Sequence, residues 1–297
     1  MADLGRIDGK TKLIGFLAKP AGHSKSPAIH NAAFRKLNLN YAFMAFEVGN
    51  EQLADAITGI RALNIQGFSV SMPNKIDILP LLDGLSPAAE LIGAVNTVVN
   101  HNGQLIGYNT DGIGYMHSLA AAGVNYKGKK MTILGAGGAA TAITIQAALE
   151  GVAEISIFNR EDQFFPNALR NAEIINKKMK DTNCIARVYP LEDLARLKEE
   201  ITTSQILTNA TDVGMKHLEG QSLLPDPSWL HPSQIVTDII YFPDRTKLLE
   251  QAIAIGCKTI NGLGMLLWQG AEQFRIWTGQ EMPIEDVKQQ IFATANN

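Results

Sequence analysis

The stretch MTILGAGGAATAI, residues 131–143, constrains the fold more than any other part of the chain. A predicted strand over Lys130–Leu134 runs straight into Gly135-Ala136-Gly137-Gly138-Ala139-Ala140, and a predicted helix over Ala139–Glu150 follows. The six residues fit G-x-G-x-x-G/A. Gly135 permits a tight turn, Gly137 lets the backbone approach a pyrophosphate, and Ala140 is small enough for close helix–strand packing. The first N–H groups of the helix then face the phosphates. A second predicted strand, Glu154–Phe158, comes next, as a βαβ nucleotide-binding unit requires. A βα turn that binds nothing is the plainer alternative, and the flanking strands and helix weigh against it.

The length of 297 residues predicts two domains, or one large α/β unit. With 26 Lys+Arg against 29 Asp+Glu, the net charge of -3 lacks the positive field on which nucleic-acid and acidic-membrane binders depend. Neither a nucleic-acid nor a membrane partner is therefore expected. Cys184 and Cys257 are too few for a disulfide scaffold and read as reduced thiols. The six histidines show no ligand spacing, so no metal is expected. The first residues lack the apolar core of a secretory signal, and no apolar run is long enough to span a bilayer. The expectation is a cytoplasmic protein.

Apolar periodicity predicts strands at Lys12–Leu17, Tyr41–Val48, Gly67–Ser71, Ala94–Asn100 and Gln104–Tyr108, the last two joined by an Asn102-Gly103 hairpin turn. Helices are predicted from Ser26 to about Leu37, with Ser26 as N-cap and Pro27 at the first helical position, and at Glu51–Leu63 and about Asn74–Leu82. The second half restarts with a helix over Gly112–Ala122. After the strand–glycine–helix segment come a helix at Pro166–Met179 and strands at Ala186–Tyr189, Ile206–Asn209, Ile235–Asp238 and Lys258–Ile260. Helical crossovers between them indicate a mostly parallel sheet. Helical segments at Gly264–Trp277 and Ile284–Phe292 have no strand to complete and are expected to pack back on the first domain. The apolar run Tyr41–Phe46 and these last helices read either as core or as the surface of a homodimer.

Several polar residues fall at predicted strand–loop boundaries, where ligands of open α/β sheets bind. They are Ser24 and Ser26 in a Gly-Pro loop, Lys75 after Met72-Pro73, Asn96 in AVNTVV and Asp111 in YNTDG. Lys75 could take a proton from a substrate hydroxyl, oriented by Asp111. From spacing alone, a surface lysine and a helix-capping aspartate are the plainer reading of the same two residues. Beyond Phe158 stand Asn159, Arg160, Glu161 and Asp162, where an acid would meet the adenosine ribose and a cation a 2′-phosphate. The two carboxylates tilt this loop toward NAD, with NADP as the alternative.

Taken together, the motifs resemble the shikimate dehydrogenase family along essentially the whole chain, and its quinate/shikimate dehydrogenase branch in particular. The pattern Ser-x-Ser-Pro followed by His-Asn is Ser24–Pro27 and His30-Asn31. Val-Thr-x-Pro-x-Lys is Val70–Lys75, with Ser71 in place of Thr. Gly-Ala-x-Asn-Thr is Gly93–Thr97, Gly-x-Asn-Thr-Asp-Gly is Gly107–Gly112, and Gly-Met-Leu-x-x-Gln-Gly-Ala is Gly264–Ala271. The resemblance implies an α/β substrate domain (1–111), a Rossmann-like nucleotide domain (112–261) and C-terminal helices (262–297) returning to the first. It implies reversible oxidation of a ring hydroxyl of a polyol carboxylate such as quinate or shikimate. Lys75 and Asp111 would be the catalytic pair. Ser24, Ser26 and Tyr241 would hold the carboxylate, and Ser71, Asn96, Thr110 and Gln269 would contact the ring. Gly135–Ala139, Asn159, Arg160 and Asp162 would bind the nucleotide, with Gly262 and Met265 near its nicotinamide. Serine at 71 resembles the quinate-accepting members, and Glu161, beside Arg160, predicts NAD over NADP by like-charge repulsion. The competing expectations are an NADP-dependent biosynthetic shikimate dehydrogenase and a catalytically silent nucleotide-binding module.

Overall fold

The computed structural model describes residues 7–292. They form two compact units, one running to Thr110 and resuming at Leu267, the other spanning Asp111–Leu266.

The first unit contains, in order, β1 (Lys12–Ala18), α1 (Ser26–Lys36), β2 (Tyr41–Glu47), α2 (Asn50–Ala62), β3 (Gly67–Val70), β4 (Gly84–Leu85), α3 (Pro87–Ile92), β5 (Thr97–His101) and β6 (Gln104–Tyr108). Its sheet has the order β2-β1-β3-β5-β6-β4. β1 is parallel to β2 and β3, whereas β5 is antiparallel to β3 and β6. The β5–β6 hairpin turns at Asn102 (φ 53°) and Gly103 (φ 94°), the doubly left-handed geometry that Asn-Gly supplies at least cost.

The second unit contains α4 (Asp111–Ala121), β7 (Lys130–Leu134), α5 (Gly138–Leu149), β8 (Glu154–Asn159), α6 (Phe165–Lys178), β9 (Ile185–Pro190), α7 (Leu194–Thr203), β10 (Ile206–Asn209), β11 (Ile235–Asp238), α8 (Lys247–Ile255) and β12 (Lys258–Ile260). Its sheet, ordered β12-β11-β10-β7-β8-β9, is parallel throughout. β7 and β10 are fully or nearly fully buried along their length, and their buried hydroxyls are matched, Thr132 Oγ1 with Ser204 Oγ at 2.6 Å and Thr208 Oγ1 with Tyr115 OH at 2.7 Å. α9 (Leu263–Thr278) starts in this unit. Its residues from Leu267 onward, with α10 (Ile284–Phe292), belong to the first unit.

Three local expectations are corrected. Residues 74–82 form successive turns and a single 3₁₀ turn at Leu79–Leu81, not a helix. Pro80 has no N–H for an i→i−4 bond, and its ring disfavours helical backbone at Leu79. Ser26 is the first residue of α1 and not its cap. Lys25 occupies the cap position without a side-chain bond, and the Ser26 N–H is taken by Ser24 Oγ at 3.2 Å. β4 and α3 were absent from the expectation, although Ser86 caps α3 by accepting from the Ala89 N–H and Gly93 ends it at φ 73°.

α9 joins the first unit's core by aromatic packing. The Phe274 ring lies 5.2 Å from that of Phe34, which stacks in turn on Tyr41 at 5.1 Å. Trp277 Nε1 donates to the Val98 carbonyl at 3.0 Å, so an indole polar atom is buried with its hydrogen bond made. Phe274 is completely buried. Phe274→Ala should cost about 3–5 kcal/mol of stability, read as a lowered urea midpoint. A loss below about 1 kcal/mol would mean that α9 packs on the first unit without depending on this ring.

Candidate active site

Strand direction decides where the first unit gathers its polar residues. β1 and β3 are parallel, so their C-terminal ends lie at one edge of the sheet. β5 runs the other way and begins there, with Thr97 opposite Ser69, while β6 ends there, with Tyr108 opposite Thr97. The loop after β1 carries Ser24 and leads to Ser26 at the start of α1, the turn after β3 carries Ser71 and Lys75, Asn96 precedes β5 and Thr110 follows β6. Asp111 is the next residue and opens α4.

Backbone bonds fasten these loops to one another. Ser71 N donates to Leu17 O at 3.0 Å, Lys19 N to Met72 O at 3.1 Å, and Val70 N to Asn96 O at 2.8 Å. Val95 N donates to Lys75 O at 2.8 Å, which ties the lysine's main chain to the residue before Asn96. Asn74 Nδ2 reaches back to Val48 O at 2.8 Å and anchors the turn from beneath.

Asn96 and Thr110 are buried, and burying their polar groups is affordable only because they satisfy each other. Asn96 Oδ1 accepts from Thr110 N at 2.9 Å and Thr97 Oγ1 at 2.8 Å, and Asn96 Nδ2 donates to Thr110 Oγ1 at 3.0 Å. Ser24, Ser26, Ser71, Lys75 and Gln269 are half-buried. Gln273, one turn after Gln269 on the same face of α9, donates from Nε2 to Asn96 O at 3.4 Å. An ammonium group, serine hydroxyls and carboxamides on one sheet edge suit a small anionic ligand rich in hydroxyls.

In the second unit the parallel strands all end on one side. The chain runs from β7 outward through β8 and β9, then returns beside β7 with β10 and continues outward through β11 and β12. This reversal between β7 and β10 is the position at which open α/β sheets bind ligands. Gly135 has φ +113°, and a Cβ there would stand 2.8 Å from Thr211 Cγ2 and 2.9 Å from Ala210 O. Gly137 and Gly138 face open space, and no side chain caps α5. Backbone N–H groups at a helix N-terminus with clear space in front of them fit a pyrophosphate. Ala136 is buried and Ala139 half-buried. Asn167 of α6 donates to the Ala136 carbonyl at 3.2 Å and steadies the turn.

On the adenosine side, Asn159 Nδ2 donates to Asp162 Oδ1 at 2.9 Å and to Arg160 O at 2.7 Å. Asp162 Oδ1 also accepts from Phe164 N at 2.8 Å, so that this oxygen closes the turn leading into α6. Arg160 and Glu161 are exposed. Farther along the edge, a Cβ on Gly262 would stand 1.8 Å from Ile239 O, which leaves glycine alone able to occupy that position. Met265 follows, half-buried, in the first turn of α9, and Tyr241 is exposed in the loop after β11.

Sequence reasoning missed what holds these last loops. Asn209, at the end of β10, accepts through Oδ1 from Thr211 N at 3.1 Å and Thr211 Oγ1 at 2.7 Å. Its Nδ2 donates to both oxygens of Asp238, at 3.2 and 3.1 Å. Asp238 also accepts from Ile240 N at 3.0 Å and Thr246 Oγ1 at 2.7 Å. The available signal was an acid ending an otherwise apolar central strand, IVTD. Burial pushes the Asp238 carboxyl up to about 6, and the three kinds of donor only partly oppose that shift.

This carboxyl binds a proton more tightly folded than unfolded, so its stabilising contribution is complete below about pH 4 and is lost as pH rises through about 6. Across that window the wild type should lose stability relative to Asp238→Asn, measured as the difference in urea midpoints. A difference that does not change with pH would refute the assignment.

The chain matches two family models, the shikimate dehydrogenase substrate binding domain over residues 16–98 and the shikimate 5'-dehydrogenase C-terminal domain over residues 262–292. It is 57% identical to the shikimate dehydrogenase (NADP(+)) of Listeria innocua over 287 residues, covering 97% of this chain and 98% of the relative. It is 50% identical to the quinate/shikimate dehydrogenase of Escherichia coli, covering 95% and 97% of the two chains. A crystal structure of shikimate 5-dehydrogenase from Listeria monocytogenes, in complex with shikimate and NAD, superposes with a TM-score of 0.94 at 56% identity, covering 97% of this chain and 98% of that one. Identity at this level, sustained almost end to end through both units, means that the chain belongs to the shikimate dehydrogenase family.

Proposed function

We propose that the protein reversibly oxidises a ring hydroxyl of shikimate or quinate to the ketone, using a nicotinamide dinucleotide, with NAD preferred over NADP. The observation that carries the reading is the first unit's sheet edge, where Lys75, Ser71, Asn96 and Thr110 are tied together by main-chain and side-chain bonds. Family membership supplies the reaction class.

Lys75 Nζ takes the hydroxyl proton as the C–H bond on the same carbon yields its hydride, and returns the proton in the reductive direction. Asp111, directly after Thr110 in the chain, orients the lysine and the hydroxyl. Ser24, Ser26 and Tyr241 hold the carboxylate, while Ser71, Asn96, Thr110 and Gln269 contact the ring. The bound dinucleotide supplies the hydride acceptor. Gly135–Ala139 hold its pyrophosphate, Asn159 and Arg160 flank its adenosine, and Gly262 and Met265 lie by its nicotinamide. Glu161, exposed and directly after Arg160, is the carboxylate that disfavours a 2′-phosphate, while Asp162 closes the turn into α6 through Oδ1. The serine at 71, smaller than threonine, leaves room for the additional hydroxyl of quinate.

The relatives differ in nucleotide. The Listeria innocua protein is a shikimate dehydrogenase (NADP(+)), and the Listeria monocytogenes crystal contains NAD. The proposed setting is the cytoplasm, with a small polyol carboxylate as substrate and no nucleic acid. Cys184 and Cys257 are both buried and unpaired, as reduced structural thiols would be. No helix among the described residues is long and apolar enough to cross a membrane.

Lys75→Met should lower kcat by roughly 10²–10⁴-fold while NAD binding, followed by fluorescence titration, is unchanged. Turnover that survives the change would remove Lys75 from the proton transfer. Glu161→Arg should shift the NADP/NAD ratio of kcat/KM toward NADP by at least about tenfold. Asp162→Ala should instead weaken both nucleotides alike by loosening the turn. The opposite pattern, with selectivity moving at Asp162 and not at Glu161, would reverse the two roles.

A further inference from the structure

His30 is wholly buried in the first unit, and the proposed chemistry does not use it. Its ring stacks on Phe43 at 4.7 Å with planes 7° apart, and meets the edge of Trp277 at 5.2 Å. Burial pushes its pKa down to about 3, so the imidazole is neutral and carries one N–H. Nε2 lies 3.3 Å from Gln273 Oε1, and Gln273 Nε2 donates to the main-chain oxygen of Asn96. The direction of these bonds is fixed from one end. A carbonyl oxygen only accepts, so Gln273 must present its NH₂ to Asn96 and its oxygen to His30. His30 must therefore carry its hydrogen on Nε2. Its Nδ1 has no hydrogen-bond partner. That nitrogen holds a bare lone pair against the aromatic rings, not an unmatched N–H.

We propose that His30 and Gln273 are positioning residues for recognition of the substrate's ring hydroxyls: the Gln273 carboxamide, held between His30 Nε2–H and the Asn96 carbonyl, adds a second bond to the Asn96 main chain beside that of Val70 N and fixes the rotation of α9. Gln269 stands one turn before Gln273 on the same helix face, so fixing that rotation aims it as well. The inference rests on the reading that Asn96 and Gln269 bind the ring. A buried network acts on affinity by holding recognition groups in place before the ligand arrives.

Gln273→Leu and His30→Leu should each raise KM for shikimate and quinate by about tenfold, with smaller changes in kcat and an unchanged dissociation constant for NAD. In His30→Gln the amide nitrogen reaches the place of Nε2, and most of the loss should be recovered. In the wild type, ¹⁵N NMR of the histidines should show one ring whose unprotonated Nδ1 and protonated Nε2 signals stay unchanged between about pH 5 and 8, and those signals should be missing from His30→Gln. The proposal is overturned if Gln273→Leu leaves KM within about twofold of wild type while Asn96→Ala raises it. It is also overturned if His30→Gln is no better than His30→Leu, or if the His30 Nδ1 is protonated. Asn96→Ala with no effect on KM would overturn the assignment of Asn96 to the substrate, on which the proposal stands.

Discussion

Because β7, β8, β10, β11 and β12 run in one direction, the loops that follow them all leave from a single edge of the sheet, and the helix after β7 starts there. Gly135, Asn159, Thr211, Tyr241 and Gly262 need no other device to be neighbours along that edge. The first unit reaches the same result with a mixed sheet. β1 and β3 end where β5 begins and β6 ends, so residues from four separate stretches of sequence share one margin. Strand polarity is fixed by the order of short and long connections, long before any side chain touches a ligand.

What strand polarity brings together, buried hydrogen bonds hold still. A carboxamide or carboxylate removed from water costs more than one hydrogen bond returns, so each must be matched several times. Asn96 does this with Thr110 and Thr97, Asn209 and Asp238 with each other and with Thr211, Ile240 and Thr246. Asn209 and Asp238 bridge the end of a strand to the loop beyond it, and Asn96 ties the residue before β5 to the one that follows β6 by two positions. Asp238 is the extreme, an acid with no cation among its hydrogen-bond partners, raised toward neutrality by its surroundings.

The sequence made parts of this legible because they depend on local chemistry. β7, β10, β11, β12 and α10 have the bounds expected from apolar patterning, and the strand–glycine–helix segment announces its turn through Gly135. The 74–82 segment misled because its apolar spacing is helical while Pro80 forbids the helix that spacing suggests. Asp162 is expected beside the adenosine from its place after β8, and its turn-closing bonds through Oδ1 to Asn159 and Phe164 have no signature in that spacing. Asn167 and Gln273 were silent, and Asp238 showed only as an acid at the end of a buried strand. Their partners lie 31, 29 and 177 residues away, and no spacing rule reports a contact that only the tertiary fold creates. Resemblance filled some of that gap for Lys75, Asn96 and Gln269, whose proposed roles have no signature in periodicity.

In the proposed reaction a polyol carboxylate is oxidised by a dinucleotide held at the glycine turn, with NAD favoured by the charge beside Arg160. Initial rates with shikimate and quinate, each crossed with NAD and NADP, address it most directly. The account predicts reduction of nucleotide by at least one of the two acids, with kcat/KM higher for NAD than for NADP. Equal or greater efficiency with NADP would contradict the cofactor reading, and no reduction of either nucleotide by either acid would contradict the reaction itself.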